Sequence, residues 1–311
     1  MNNILITGGA GFIGRNFINQ LHNQYDQIFV IDIFSLGIRD QFDYENITII
    51  EFDLKDEFLD YEKFEKYNID EIWHFAANSD IEAGIENDLV DLENTFFTTL
   101  NTIKIAKKYR IKKFNFASSS AIYGNWNIPL KENLGPLKPI SNYGSMKLAS
   151  EAALLAFSHK NKNILNIFRF PNVVGVPATH GVIFDFINKI KRNGNLNVLG
   201  NGTQKKSYLH VSELINAMQY INENNNEDSL IINLGNNDDG ITVKEIAEMV
   251  TSKFKKNIKI SYGKNDFGWV GDIPKFKFNT EKLNNMGWSP KLSSKEAVKL
   301  AIDESYTQLI R

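Results

Sequence analysis

The chain of 311 residues contains no cysteine. That excludes disulfides, thiolate nucleophiles and Cys-ligated metal centres at once. Charge of one sign is also lacking: 35 Lys and Arg stand against 37 Asp and Glu, a formal net charge of −2. So balanced a chain is expected to bind neither nucleic acid nor a membrane surface. Long apolar runs are missing too. Ile4-Leu5-Ile6 ends at once in glycines, and no stretch approaches the ~20 residues of a membrane helix. The N-terminus does not read as a signal peptide, so the expectation is a cytoplasmic globular protein. No internal repeat or low-complexity tract interrupts the chain.

What is present is 42% hydrophobic sequence, enough for a substantial core. Apolar runs at Ile4–Thr7, Ile28–Asp32, Ile47–Phe52, Ile72–Ala76, Phe114–Ser118 and Ile164–Phe170 lack period-2 alternation. They read as strands covered on both faces. Helical candidates lie between them, at Phe12–His22, Asn94–Tyr109 and Tyr143–His159. Strand–helix alternation predicts right-handed βαβ units in an α/β, Rossmann-type, doubly wound parallel sheet over residues 1–170. Pro171, Gly175, Pro177 and Gly181 then mark a loop-rich passage. Residues 171–311 are expected to form a smaller C-terminal α/β substrate domain, the chain re-entering the first domain at about 208–235. A strand is expected at Leu230–Leu234. Thr242-x-x-Glu245 and Ser293-x-x-Glu296 have capping-box spacing, and Ile241 with Ile246 that of a hydrophobic staple. Asn222–Asn226 reads as a surface turn.

Thr7-Gly8-Gly9-Ala10-Gly11-Phe12-Ile13-Gly14 joins an expected strand to an expected helix. Gly9, Gly11 and Gly14 fit G-x-G-x-x-G, whose glycines permit a tight turn, backbone contact with pyrophosphate, and close helix–strand packing. The helix N-terminus adds free N–H groups and a positive dipole end. Gly8, Gly11, Phe12 and Ile13 are the loop residues expected to touch a dinucleotide. Asp32 ends the second strand, where a carboxylate accepts from ribose hydroxyls and repels a 2′-phosphate. That points to NAD, with Arg15 and Arg39 as the cations that could approach a 2′-phosphate. Asp53 and Leu54, after the third strand, are placed at the adenine edge, and Pro171 is placed along the cofactor.

Tyr143-Gly-Ser-Met-Lys147 sets a phenol and an ammonium one helical turn apart. A free phenol, with pKa about 10, is a poor base near neutrality. A nearby cation and an oxidised nicotinamide both favour phenolate and make it usable on a sugar hydroxyl. Tyr109 and Lys113 share the spacing but fall on the opposite sheet edge, away from the carboxyl ends of the strands. Ser118-Ser119-Ser120 follows the fifth strand at that carboxyl end.

These motifs, with HFAA at 74–77, SSSAIYG at 118–124, RFPNVVG at 169–175, GTQKKSYLHV at 202–211, Gly271-Asp272 and GWSP at 287–290, resemble the extended short-chain dehydrogenase/reductase family. The resemblance is to its NAD-dependent sugar epimerase/dehydratase group and spans nearly the whole chain. It implies that Ser119 binds the reacting sugar oxygen with Tyr143 and that Lys147 holds the nicotinamide ribose. It places Ala76, Ala77 and Asn94 beside the cofactor. Ser120 and Asn172 fall on the substrate side, and Lys206 stands where the family usually has Arg. It gives His210 a packing role and makes a homodimer through the helices at 94–109 and 143–159 the expected assembly. Dehydratases of the group carry Asp-Glu where this chain has Ser120-Ala121, which excludes 4,6-dehydration. The implied reaction is C4 epimerisation of a nucleotide-diphosphate hexose through a transient 4-keto sugar. A one-way C4 dehydrogenase or ketoreductase, or a non-catalytic nucleotide-binding regulator, is the alternative. The family's Arg before the late Gly-Asp is replaced by Phe267-Gly268-Trp269-Val270, with Lys264 or Lys275 as a point-charge substitute. Trp269 and His180 are read as the places where substrate identity is decided.

Overall fold

In a computed structural model, residues 2–35, 42–56, 68–81, 83–268 and 273–310 are described. Seven strands form one sheet: β1 (Asn3–Thr7), β2 (Gln27–Asp32), β3 (Ile47–Glu51), β4 (Glu71–His74), β5 (Lys113–Ser119), β6 (Ile164–Phe170) and β7 (Ser229–Asn233). Their order is β3-β2-β1-β4-β5-β6-β7. β1 lies between β2 and β4, and all three of β2–β3, β1–β4 and β4–β5 pair in parallel. The order reverses between β1 and β4, the switch point at which doubly wound sheets bind ligands. All five residues of β1 are buried, as strands covered on both faces should be.

Helices α1 (Phe12–Leu21), α2 (Thr98–Lys108) and α3 (Asn142–Asn161) belong to this half. Leu5, Phe29, Ile72, Phe114 and Ile167 from the sheet pack with Ile103 and Ile105 of α2 and Leu154 and Phe157 of α3. A π-helical turn, Leu92–Phe97, leads into α2. α3 starts where the Ser141 hydroxyl accepts the Gly144 N–H at 3.1 Å, satisfying one of the helix's orphan donors.

The chain divides into two interleaved units. The first comprises Met1–Ile122, Ser141–Arg169 and Met218–Ile232; the second comprises Tyr123–Ile140, Phe170–Ala217 and Asn233–Arg311. Residues 123–140, which the sequence leaves in the first domain, group with the second unit. The reason is local: Asn233 accepts from the Tyr123 hydroxyl at 2.8 Å and donates to the Leu130 carbonyl at 2.9 Å. Within the second unit, helices Val182–Asn193, Val243–Thr251 and Ser294–Ile310 surround a core that includes Ile187, Leu196, Ile246 and Val298. Both expected capping boxes form, at Thr242/Glu245 and at Ser293/Glu296, and Ile241 and Ile246 share that core. His210 is buried between Ser212 and Glu304, at 2.7 and 3.0 Å. Among the described residues no helix is long and apolar enough to cross a membrane.

One expectation fails in the first unit. Asn222 is not part of a surface turn: it lies in the helix Val211–Asn224 and is buried. Its amide donates to Glu71 Oε1 at 2.9 Å, which also accepts from Asn115 at 2.6 Å. Asn166 donates to both asparagines, and Asn225 donates to Asn166. Of the run 222–226, Asn222 is buried and Asn225 half-buried in this network, while Asn224 and Asn226 are exposed at the surface. Burial pushes the Glu71 carboxyl up to about 7, against the pull of Lys113 and the amides.

The sign of the linkage follows. A carboxyl raised in the folded state stabilises fully below its unfolded pKa, and that contribution is lost as pH rises through about 7. Glu71→Gln keeps the carbonyl acceptor and cannot ionise. Thermal unfolding scanned from about pH 5 to about pH 8 should show the wild type losing stability relative to Glu71→Gln. Parallel curves would show that Glu71 does not titrate in that range.

Candidate active site

The glycine loop is built by close approach. Gly8 sits at φ +69°, and a Cβ there would lie 2.5 Å from the Ala76 nitrogen. A Cβ on Gly14 would lie 2.4 Å from the Gly8 carbonyl and 2.6 Å from Gly9 Cα. Gly9 is excluded from bearing a side chain by Val30, at 2.6 Å. The left-handed turn thus falls on Gly8, giving a G-x-x-G-x-x-G spacing with Gly11 and Gly14. Gly11 differs: it is the N-cap of α1 at φ −69°, no side chain caps it, and an added Cβ would approach only the Gly8 carbonyl, at 3.3 Å. Phe12 and Ile13, half-buried, open the helix at this uncapped end. Uncapped N–H groups at a helix start suit a pyrophosphate.

Asp32 ends β2 half-buried. Its carboxylate accepts the Ala10 N–H and the Phe34 N–H, both at 2.8 Å. Phe34 adopts φ +56° to make that bond, uncommon for a residue with a side chain. Arg15 donates to the Ala10 carbonyl at 3.1 Å, and its half-buried guanidinium lies in the field of Asp32. It is part of the loop's own scaffold. Arg39, Trp269, Val270, Gly271 and Asp272 lie outside the described residues.

Around the loop, Asp53 accepts the Lys55 N–H at 2.9 Å and pairs with its ammonium at 3.4 Å. Leu54 is buried, and its carbonyl takes the Asn101 amide. Ala76 and Ala77 follow β4 after the single residue Phe75. His74, wholly buried, bridges Thr7 at 2.6 Å and Thr99 at 2.9 Å, and burial holds it neutral by lowering its pKa. Asn94 is half-buried in the π-helical turn; the residue turned fully inward is its neighbour Thr95, whose hydroxyl accepts the Asn78 N–H at 3.1 Å. Sequence reading missed both Thr95 and Asp91, one turn earlier and wholly buried.

Ser119, Tyr143 and Lys147 come together at the carboxyl end of β5. Ser119 ends the strand, accepts the Ala121 N–H at 3.1 Å, and hydrogen-bonds with Tyr143. The Lys147 ammonium is buried, donates to the Ala117 carbonyl at 2.7 Å, and stands 4.9 Å from the Phe116 ring centre and 5.8 Å from that of Tyr143. One turn further, Glu151 accepts from Ser118 at 2.5 Å and pairs with buried Arg169 of β6 through two hydrogen bonds. Removing one partner of such a buried pair costs about 3–5 kcal/mol. Tyr109 caps α2, and Lys113 opens β5 with its ammonium on the Asn222 carbonyl, at the opposite edge from Ser119.

The electrostatics depart from expectation. Tyr143 is not depressed: burial pushes it up to about 12, the Ser119 bond opposes that, and Asp91 adds to it. Lys147 is itself drawn down to about 7 by burial, with Glu151 and Asp91 resisting. An ammonium only partly charged near neutrality is a weak lever on its phenol.

In the second unit, Pro171 is buried, Asn172 is half-buried with its amide 3.5 Å from the Ser207 carbonyl, and Lys206 is half-buried in a strand paired with Ile241–Thr242. His180 is exposed and bonded to Thr179.

The NAD dependent epimerase/dehydratase family model matches residues 4–235. A solved UDP-galactose 4-epimerase is 32% identical, covers 99% of each chain, and superposes with a TM-score of 0.87. A UDP-glucuronate 4-epimerase of Thermodesulfobacterium geofontis is 27% identical over 98% of this chain and 96% of its own. A dTDP-D-glucose 4,6-dehydratase of Homo sapiens is 25% identical over 96% of this chain and 89% of its own.

Two glycine variants separate scaffold from contact. Gly14→Ala should cost about 1–3 kcal/mol by overpacking. Gly11→Ala should melt within a few degrees of wild type yet lose NAD affinity measurably in calorimetry. Unchanged NAD affinity in Gly11→Ala would remove the pyrophosphate from this helix end.

Proposed function

Because this chain belongs to the NAD-dependent epimerase/dehydratase family, we propose that it epimerises a nucleotide-diphosphate hexose at C4. The observation that carries this reading is the Ser119–Tyr143–Lys147 set at the carboxyl end of β5, followed by Ser120 and Ala121. Neither of those two residues can serve as acid or base. A dehydratase needs an acid for its leaving hydroxyl and a base for a carbon-bound proton, so redox chemistry at one carbinol is what the set supports.

The residues fit a dinucleotide. Uncapped N–H groups open α1, Gly11 leaves room for close approach, and Asp32 is fixed at the end of β2. Gly8, Gly11, Phe12 and Ile13 would hold the pyrophosphate, Asp32 the ribose, and Asp53 and Leu54 the adenine edge. Ala76, Ala77 and Asn94 would line the nicotinamide half with Lys147. NAD, when bound, supplies the hydride acceptor and returns the hydride. Ser119 and Tyr143 hold the C4 oxygen, and Tyr143, in its phenolate form, takes the hydroxyl proton as the sugar is oxidised. The 4-keto sugar turns over, and Tyr143 gives the proton back. Lys147 supplies positive charge beside the phenol at the moment it ionises. Ser120 is assigned to the substrate. The likeness to a UDP-galactose 4-epimerase makes UDP-hexoses the first substrates to try. A homodimer through α2 and α3 is part of the proposal, supported by Phe97, an exposed aromatic beside α2, and tested by sedimentation.

Purified protein with UDP-glucose or UDP-galactose should interconvert them with no net change in nicotinamide absorbance. Tyr143→Phe should lower kcat by about 100-fold or more, the scale of a positioned acid–base group. Stoichiometric nicotinamide reduction without epimer would make the chain a one-way dehydrogenase. No turnover of UDP-, GDP- or CDP-sugars, with Tyr143→Phe the same, would end the catalytic reading.

A further inference from the structure

We propose that Glu151 is a positioning residue: bonded to Ser118 and to Arg169, it sets the register of α3 against the end of β5 and so places Tyr143 and Lys147 opposite Ser119. The inference rests on the reading of Ser119, Tyr143 and Lys147 as the reacting set.

The buried face of α3 changes character along its length. Its first half presents Gly144, Lys147, Ser150 and Glu151; Leu154 and Phe157, which join the apolar core of the sheet, come only afterwards. Apolar contact is non-directional, so it holds the far half of the helix to the sheet without fixing how far the helix slides along β5. Directional bonds do that where Tyr143 sits. Lys147 donates to the Ala117 carbonyl at 2.7 Å. One turn on, Glu151 Oε1 accepts the Ser118 hydroxyl at 2.5 Å. Consecutive residues of the strand thus engage consecutive turns of the helix, and Ser119 is the next residue of that strand. Tyr143 lies one turn before Lys147, its ring centre 5.8 Å from the ammonium. Among the described residues the Ser150 hydroxyl has no partner. Asn142 is tied to the Gly84 carbonyl and to Asp88, in the segment before α2, and not to β5.

Arg169 fixes the carboxylate in turn. The two side chains are each 3% exposed. Arg169 donates through Nε to Oε1 at 3.0 Å and through Nη2 to Oε2 at 2.8 Å. Oε1 is therefore shared between Ser118 of β5 and Arg169 of β6, which are neighbouring strands of the sheet. Gripped from two adjacent strands, Glu151 cannot move along the sheet without breaking both sets of bonds, and the helix that carries it is pinned at that point. A buried ion pair adds little net stability over apolar residues of the same volume, and its best-attested use is to fix register. The place of this pair, one turn beyond Lys147 and beside the residue before Ser119, suits that use.

The test follows Tyr143 in the full-length, NAD-saturated protein, labelled at the tyrosine ring carbon that bears oxygen. Its NMR signal is assigned by its loss in Tyr143→Phe, and Ser119→Ala gives the position of a phenol without its serine. In Ser118→Ala, and in Glu151→Met paired with Arg169→Met, the signal should leave its wild-type position toward the Ser119→Ala one. Turnover of a nucleotide sugar should fall in kcat by about 10- to 100-fold, with KM within about twofold of wild type. Ser118→Thr keeps the hydroxyl and should restore both readouts. If the double variant does not fold, Ser118→Ala, which leaves the ion pair intact, carries the same expectation. Leu154→Ala loosens the apolar half of the same helix and should lower the melting temperature with the Tyr143 signal in place. A signal unmoved in Ser118→Ala, or moved as far by Leu154→Ala, overturns the inference. A signal that moves in Ser118→Ala alone, in a protein that turns over no nucleotide sugar, sinks the functional reading and leaves the register standing.

Discussion

An ammonium buried beside a phenol is the constraint around which the first unit is organised. Lys147 is taken out of water at the carboxyl end of β5, and the loss of solvation pulls its pKa to about 7. Everything near it limits that penalty: the Ala117 carbonyl, the Phe116 face, Glu151 and Asp91. Each of those needs support of its own. Glu151 requires Arg169, and Asp91 requires the empty side of Gly84. The residues that make this buried charge tolerable are spread over β5, β6, α3 and the helical turn Asp88–Asp91.

Much of the fold was legible because parallel strands buried on both faces read as plain apolar runs. The observed bounds of β1, β2, β3 and β6 fall within one residue of the expected ones. The glycine loop was legible because its glycines answer to sterics. Which glycine turns left-handed was not, since Gly8 and Gly9 are adjacent and only the approach of Ala76 and Val30 tells them apart. Asn94 shows a different limit. The π-helical turn at Leu92–Phe97 adds a residue to the helical phase, so the inward side chain is Thr95. The resemblance carries Asn94 over by motif, and a motif read from sequence cannot see the insertion. Nor could it show that Asn222 is buried, because an amide's surroundings depend on distant partners such as Glu71.

The ionisation of the pair was misjudged for a related reason. Sequence gives the neighbour but not the dielectric. Spacing alone sets an ammonium beside Tyr143 and implies a depressed phenol. The folded chain buries Lys147 and half-buries Tyr143, and desolvation is the largest cause of the shift at each. A phenol this reluctant to ionise, beside a lysine drawn down to about 7, would ionise more readily were a further positive charge to enter.

The interleaving of the two units bears on how such a protein can be inherited. Neither unit is one continuous stretch, since residues 218–232 return to the first after a passage through the second. A gene fragment ending near residue 170 would encode the glycine loop, Tyr143 and Lys147, yet omit β7 and Asn222, leaving Glu71 short of an amide donor. The first unit therefore cannot be lent to another protein by simple truncation or fusion. Recombination would have to carry the whole 1–232 span, second-unit segments included.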